Sequence, residues 1–385
     1  MRAAWVRAER DGEVREAARA WRQAAAVDGD AAAAIEALYP TPWPNPSILW
    51  SILTFFFVSF AVVGLFAAIV IPGDWSVTVT AFLLAAVLLV ITECLRPSAS
   101  GAAAASGAAA AFWAVTCFLV GVADSGGWGD LSLTKILLAG AVAGGATAWR
   151  WGYPVLAAFS AAFFFLLLAR FPPGRGLWLV LGVLLAAACV PLLDRRELAP
   201  SHRRCAAAVF VVALAAVYAA VNLYSLDRHF VESVANWNGP ASPSGVERAL
   251  SALATAAFPL FVLAWGIRSR RALLLDLGIV FTALSLATLR YYVHIAPLWT
   301  VLVVAGAGCI GLALGAHRWL SRSPGRRRRG FTADALFHNE KAHQALGVLG
   351  ALALAPEARS PSPAEPGAFR GGGGASGGAG SSGSF

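Results

Sequence analysis

A mostly apolar stretch runs from Ile48 to Ile71, ILWSILTFFFVSFAVVGLFAAIVI, and none of these 24 positions carries a charge. At about 1.5 Å of rise per residue, such a segment spans the roughly 30 Å hydrocarbon core of a bilayer. In lipid each backbone N–H and C=O must find its partner within the segment, so the run predicts a helix. Runs of the same kind recur, and the pattern predicts about ten spans: 48–71, 76–95, 101–122, 131–149, 153–169, 176–193, 204–224, 249–267, 272–289 and 296–316. Only Arg150, Trp151 and Gly152 separate the fourth span from the fifth, so those two helices must lie antiparallel as neighbours. The expected fold class is all-α, a polytopic transmembrane helix bundle.

Ahead of the first span the pattern changes. In residues 2–26, Trp5, Val14, Ala18, Trp21 and Ala25 recur at near-helical spacing among Arg and Glu, which predicts an amphipathic helix. Val27–Asp30 reads as a turn, with Asp30 as N-cap of a second helix, Ala31–Tyr39. Pro40, Pro42, Pro44 and Pro46 then form a stiff lead into the membrane. Residues 1–47 are therefore a helical cytoplasmic segment, too small for a core of its own. No apolar signal precedes Ile48, so Ile48–Ile71 is expected to serve as an uncleaved insertion signal. Behind the bundle (48–316), residues 317–355 form a basic juxtamembrane segment with a possible amphipathic helix from Phe331 to about Ala355, and 356–385 are a Gly/Ser/Pro tail too polar to fold.

Composition agrees with the pattern. Hydrophobic residues make up 58% of the 385, against about 45–50% in a soluble domain. The formal charge is +9, carried by 28 arginines and 2 lysines. A basic chain can bind nucleic acid, but these arginines sit at the ends of apolar runs, where orientation in a membrane explains them. With the N-terminus placed in the cytoplasm, 21 arginines fall on the inner side and 5 on the outer. The bias persists along the chain, so both termini are expected to be cytoplasmic, in the inner membrane of a bacterial cell. Arg326–Arg329 should rest on anionic lipid head groups. Cys94, Cys117, Cys189, Cys205 and Cys309 are scattered, with no CxxC or metal spacing, and neither metal nor cofactor is implied.

Charge inside the spans is sparse and close to their ends. Glu93, near Arg96, closes the second span, Lys135 lies one turn into the fourth, and Asp276 lies one turn into the ninth, near Arg268, Arg270 and Arg271. Intramembrane charges are functional suspects; pairing at helix ends is the plainer reading of Glu93 and Asp276, and Lys135 can snorkel to the surface. Gly140-xxx-Gly144 and Gly311-xxx-Gly315 permit close helix approach, read as packing within the monomer or self-association. At the outer face, Arg290, Tyr291 and His294 end the ninth span, and the longest outer loop carries Asp227 and His229. If these met, they would form an acid/base or anion site; otherwise they belong to an interfacial aromatic belt.

Several short stretches resemble a family of uncharacterised bacterial polytopic membrane proteins, of the domain-of-unknown-function type. They are Trp21, the Val27–Asp30 turn, Ile35 with Tyr39-Pro40, the outer turn Asp74-Trp75, the blocks 273–278 and 288–294, residues 296–299, Gly330–Ala333 and the glycine tail. The resemblance implies a short helical N-terminal segment before many spans, and no mechanism. Three functions are open: a non-enzymatic scaffold or envelope-associated factor that binds protein partners through its cytoplasmic termini, a small-solute transporter on a five-plus-five helix plan, and a membrane-embedded transferase using Arg290, His294 and Asp227.

Overall fold

Each of the ten predicted spans coincides with a helix in the computed structural model, which describes residues 3–23, 27–39, 48–71, 76–95, 101–125, 130–171, 174–195, 197–226, 244–269, 271–293, 298–322, 327–328 and 331–332. Two helices precede them, α1 (Ala3–Gln23) and α2 (Gly29–Leu38). The others are α3 (Ile48–Val70), α4 (Val77–Leu95), α5 (Gly101–Ser125), α6 (Asp130–Trp151), α7 (Pro154–Leu168), α8 (Gly174–Asp194), α9 (Pro200–Val221), α10 (Gly245–Ser269), α11 (Ala272–Val293) and α12 (Leu298–Ser321). A 3₁₀ turn, Leu223–Leu226, follows α9. Among the described residues, seven helices are long and apolar enough to cross a membrane: α3, α4, α5, α8, α9, α10 and α11. α7 is apolar but shorter, at 15 residues. The chain is thus a helical protein built to span a membrane repeatedly.

Local chemistry accounts for the boundaries. Asp28, not Asp30, caps α2: its Oδ1 accepts from the Ala31 N–H at 2.7 Å. Asp28 lies three residues ahead of that N–H, the reach an N-cap needs, which leaves Asp30 in the first turn where its charge suits the helix dipole. The turn between α6 and α7 depends on Gly152, at φ 71°, whose N–H bonds back to Ala148 O at 2.7 Å. Tyr153 then precedes Pro154, which opens α7 where its missing N–H costs nothing.

The chain divides into two compact units, Met1–Ala316 and His317–Phe385. In the first, α4 packs along α5, α6 along α7, α8 along α9 and α10 along α11, while α3 lies on α5 and α7 on α9. The Ala-rich start of α5 is buried, as its composition predicts: Ala105, Ala109, Ala110, Ala111 and Ala114 are all covered. Gly140 and Gly144 serve packing within the monomer, for a Cβ at Gly140 would meet the Phe163 ring at 2.7 Å and one at Gly144 would meet Leu156 O at 3.2 Å. Gly311 and Gly315 differ, since a Cβ at either meets nothing within 4 Å.

In the second unit Arg327 pairs with Thr332, and Arg328 with Phe331, as a two-residue antiparallel ladder. Phe331-Thr332 therefore does not begin a helix, since its backbone is bonded across to the arginines. Residues 333–355, the Pro40–Pro46 lead and the 356–385 tail lie outside the described residues.

Candidate functional site

Of the predicted intramembrane charges, Glu93 bonds a neighbouring helix. Arg150 donates to Glu93 Oε1 at 2.6 Å and the Trp151 indole to Oε2 at 2.8 Å, which ties the end of α4 to the end of α6. Lys135 and Asp276 are exposed on α6 and α11. Asp276 does not pair with Arg271, whose guanidinium bonds Asp194 at the end of α8. Arg290 is half-buried, and Tyr291 is exposed with its ring edge-on to Tyr292. His294, Asp227 and His229 lie outside the described residues, as does Arg96.

The densest polar arrangement lies at the bundle end where α8 and α10 begin and α9 and α11 finish, and it centres on Arg175. Its Nε donates to Ala220 O at 2.8 Å, Nη1 to Glu247 Oε1 at 2.7 Å and Nη2 to Ser251 Oγ at 2.8 Å. A helix C-terminus leaves carbonyls without donors and carries partial negative charge, so a guanidinium is well matched to the end of α9. Glu247, in the first turn of α10, is favoured there by the opposite end of a dipole. One arginine thus clasps three helices.

Below the clasp the polar contacts continue into the apolar layer. Pro259 sits inside α10 and has no N–H, so the carbonyl four residues earlier, Thr255 O, loses its helical donor. Ser285 of α11 supplies a replacement, its hydroxyl donating to Thr255 O at 2.7 Å. A serine has one proton to give, so Tyr218 of α9 donates to Ser285 Oγ, at 2.9 Å. The Thr255 hydroxyl donates to Ser251 O at 2.7 Å and accepts from the Leu223 N–H at 2.9 Å. Asn222 Nδ2 reaches Thr288 Oγ1 at 3.4 Å. Tyr218, Ser251, Thr255 and Ser285 are all buried, and the Tyr218 ring stacks on Phe281 at 4.7 Å. Each of these groups already has a protein partner, so the seam is built to hold helices together in lipid.

Sequence reasoning missed this seam, although it left a signal. Glu247, Ser251 and Thr255 fall at successive i, i+4 positions, a polar stripe on one face of an otherwise apolar span, with Pro259 one turn further on.

At the other end of α9 the N-terminal segment docks. Glu9 is buried and its Oε2 accepts from the Ser201 N–H at 3.2 Å, capping α9 from another helix. Glu13 pairs with Arg203, and Arg10 donates to Glu197 O. α2 is tied to α1 by Arg19 and Glu36 at 3.0 Å. The face of α1 that is covered therefore carries Glu9 and Ala18, while Trp21, on the same apolar stripe as Ala18, is exposed. The end of α9 offers unpaired N–H groups and arginine, and these draw carboxylates more strongly than an indole.

Among the described residues no cluster of three or more His, Cys, Asp or Glu could hold a metal ion. No family model matches the chain, and no curated protein or solved structure matches it either.

Proposed function

We propose that the chain is a ten-span protein of the bacterial inner membrane, with both termini cytoplasmic, that acts without chemistry of its own as a scaffold for other proteins. The observation that carries this reading is the docking of α1. Two polar contacts fix one side of that helix to α9, and a third ties it to Glu197 just ahead of α9. Its other side and α2 leave large apolar groups exposed, Trp21, Leu38 and Tyr39 among them. A rigidly held hairpin with unused apolar groups suits a protein partner. Arg326–Arg329 would hold the tail side against anionic head groups.

A photo-crosslinking residue at Trp21 or Leu38 in intact cells should give discrete adducts, whereas one at buried Ala18 should give none. If neither exposed position crosslinks, and the purified chain in liposomes exchanges solute, the transporter reading replaces this one. A five-plus-five repeat would have the same helices pair in each half. Instead the second and third pair in one, α4 with α5, and the first and second in the other, α8 with α9. Orientation has its own check. Cys94, exposed at the end of α4, should react with an impermeant maleimide only from the side that carries the termini.

A further inference from the structure

The outward face of α10 carries a groove of about 300 Å³ lined by Phe261, Ala264, Trp265 and Arg268. These residues are spaced i, i+3, i+4 and i+7, so they form one stripe running to the last turn of the helix. Ala264 makes the depression, and rings wall it. Trp265 stands edge-on to buried Phe210 of α9 at 5.9 Å and tilted against Phe261 at 6.1 Å. Arg268 closes the stripe one residue before α10 ends at Ser269. Its neighbour Arg271 is taken by Asp194, whereas Arg268 is exposed and has no ion-pair partner among the described residues.

We propose that this groove is a binding site for one anionic glycerophospholipid, an acyl chain lying along Phe261, Ala264 and Trp265 and the phosphate meeting Arg268. The inference rests on α10 crossing a bilayer and not on the scaffold reading. Charge decides the occupant. A cation without a counter-ion among the described residues, at the polar end of an apolar stripe, complements a molecule with an anionic head and an apolar tail. A helix of a second copy, about 10 Å across, would ride over a depression this small and leave Arg268 unanswered.

The test is native mass spectrometry of the purified full chain in neutral detergent, titrated with phosphatidylglycerol and with phosphatidylcholine. The wild type should retain one phosphatidylglycerol in preference to phosphatidylcholine. Arg268→Gln should weaken phosphatidylglycerol about fivefold and leave phosphatidylcholine unchanged, since one arginine near a surface contributes on the order of 1 kcal/mol. Arg268→Lys should keep most of the preference. Ala264→Phe, which fills the groove, should weaken both lipids; Ala264→Leu serves if the larger ring lowers the melting temperature. Arg248→Gln, an exposed arginine at the other end of α10, is the control. The proposal is overturned if Arg248→Gln costs as much as Arg268→Gln, if groove-filling changes nothing, or if it abolishes a dimer instead. Release of the chain from membranes without detergent would overturn the spanning reading itself, a different failure.

Discussion

The helices from α3 to α7 and those from α8 to α11 solve one problem in two ways. In the first group the interhelical polar contacts stand apart from one another, among them Trp113 to Ser59 at 2.8 Å, Thr78 to Asp124, Ser160 to Ala141 O at 2.6 Å, and Glu93 to Arg150 and Trp151. Between them the helices meet through alanine and glycine, as where Phe82 lies over Gly121 and Phe163 over Gly140. In the second group the polar contacts are chained, from Arg175 through Glu247 and Ser251 to Thr255, Ser285 and Tyr218. One source of the difference is a proline at a buried position, Pro259; α8 also carries Pro191, but exposed and three residues before its end. A proline buried in α10 frees a carbonyl in the apolar layer, and in lipid a freed carbonyl must be answered by a side chain. Where no such break occurs, close backbone approach is enough.

Both groups depend on glycine at the tightest crossings, so the largest effect should come from filling one. A Cβ at Gly182 would meet Val217 Cγ2 at 2.6 Å and Ala213 O at 3.2 Å, and one at Gly278 would meet Leu263 Cδ2 at 2.6 Å and its backbone N at 3.1 Å. Backbone atoms cannot step aside as a ring end can. Gly182→Leu or Gly278→Val should cost about 3 kcal/mol and lower the melting temperature in detergent sharply. Gly121→Ala, whose nearest neighbours are atoms of the Phe82 ring, should cost less.

Next comes the clasp. Arg175→Gln removes the donor to Ala220 O and leaves Glu247 without its ion-pair partner. The pair is partly open, with 28% and 37% of the two side chains exposed, so solvent screens it. The loss should be about 1–2 kcal/mol, most of it from the hydrogen bonds. Breaking the Glu93–Arg150 pair with Glu93→Gln should cost less than 1 kcal/mol. If the two changes cost the same, the contrast between chained and separate contacts is wrong.

The proline argument has a sharper test, because it predicts a rescue. Ser285→Ala leaves Thr255 O unanswered and should cost about 1–2 kcal/mol. In a Pro259→Ala background residue 259 regains its N–H and the helical bond to Thr255 O. There, Ser285→Ala should cost less than half as much. Equal costs in the two backgrounds would show that Ser285 acts through packing alone.

The helices were legible in the sequence because uncharged runs of membrane length admit one backbone solution, and each predicted span meets a helix within a few residues. Pairing was not legible in the same way. Glu93 stands near Arg96 in sequence, yet the arginine that bonds it among the described residues, Arg150, comes from a helix 57 positions on. Likewise Arg175 looks like an ordinary loop arginine until α9 and α10 bring Ala220 O and Glu247 to it. A periodicity argument sees one helix at a time, and these contacts are properties of two or three. In α1 apolar spacing marks Ala18 and Trp21 alike, yet Ala18 is buried and Trp21 exposed, because the surface α1 meets presents arginine and helix-end N–H groups.

The smallest effect belongs to α12, and it tests whether glycine spacing means the same thing throughout the chain. Gly306, Gly308, Gly311 and Gly315 repeat the small-residue pattern of Gly140 and Gly144, yet a Cβ at any of the four meets nothing within 4 Å. A motif that fixes α6 against α7 therefore has no such duty here. Gly311→Val should leave the stability within about 0.5 kcal/mol of wild type, as for a surface change away from any tight contact. Melting and mass of the variant in detergent would be measured together. A loss comparable to that of Gly182→Leu would mean that α12 packs against the other helices through this face. The shared pattern would then carry a shared role, against the reading that its meaning depends on what lies opposite each glycine.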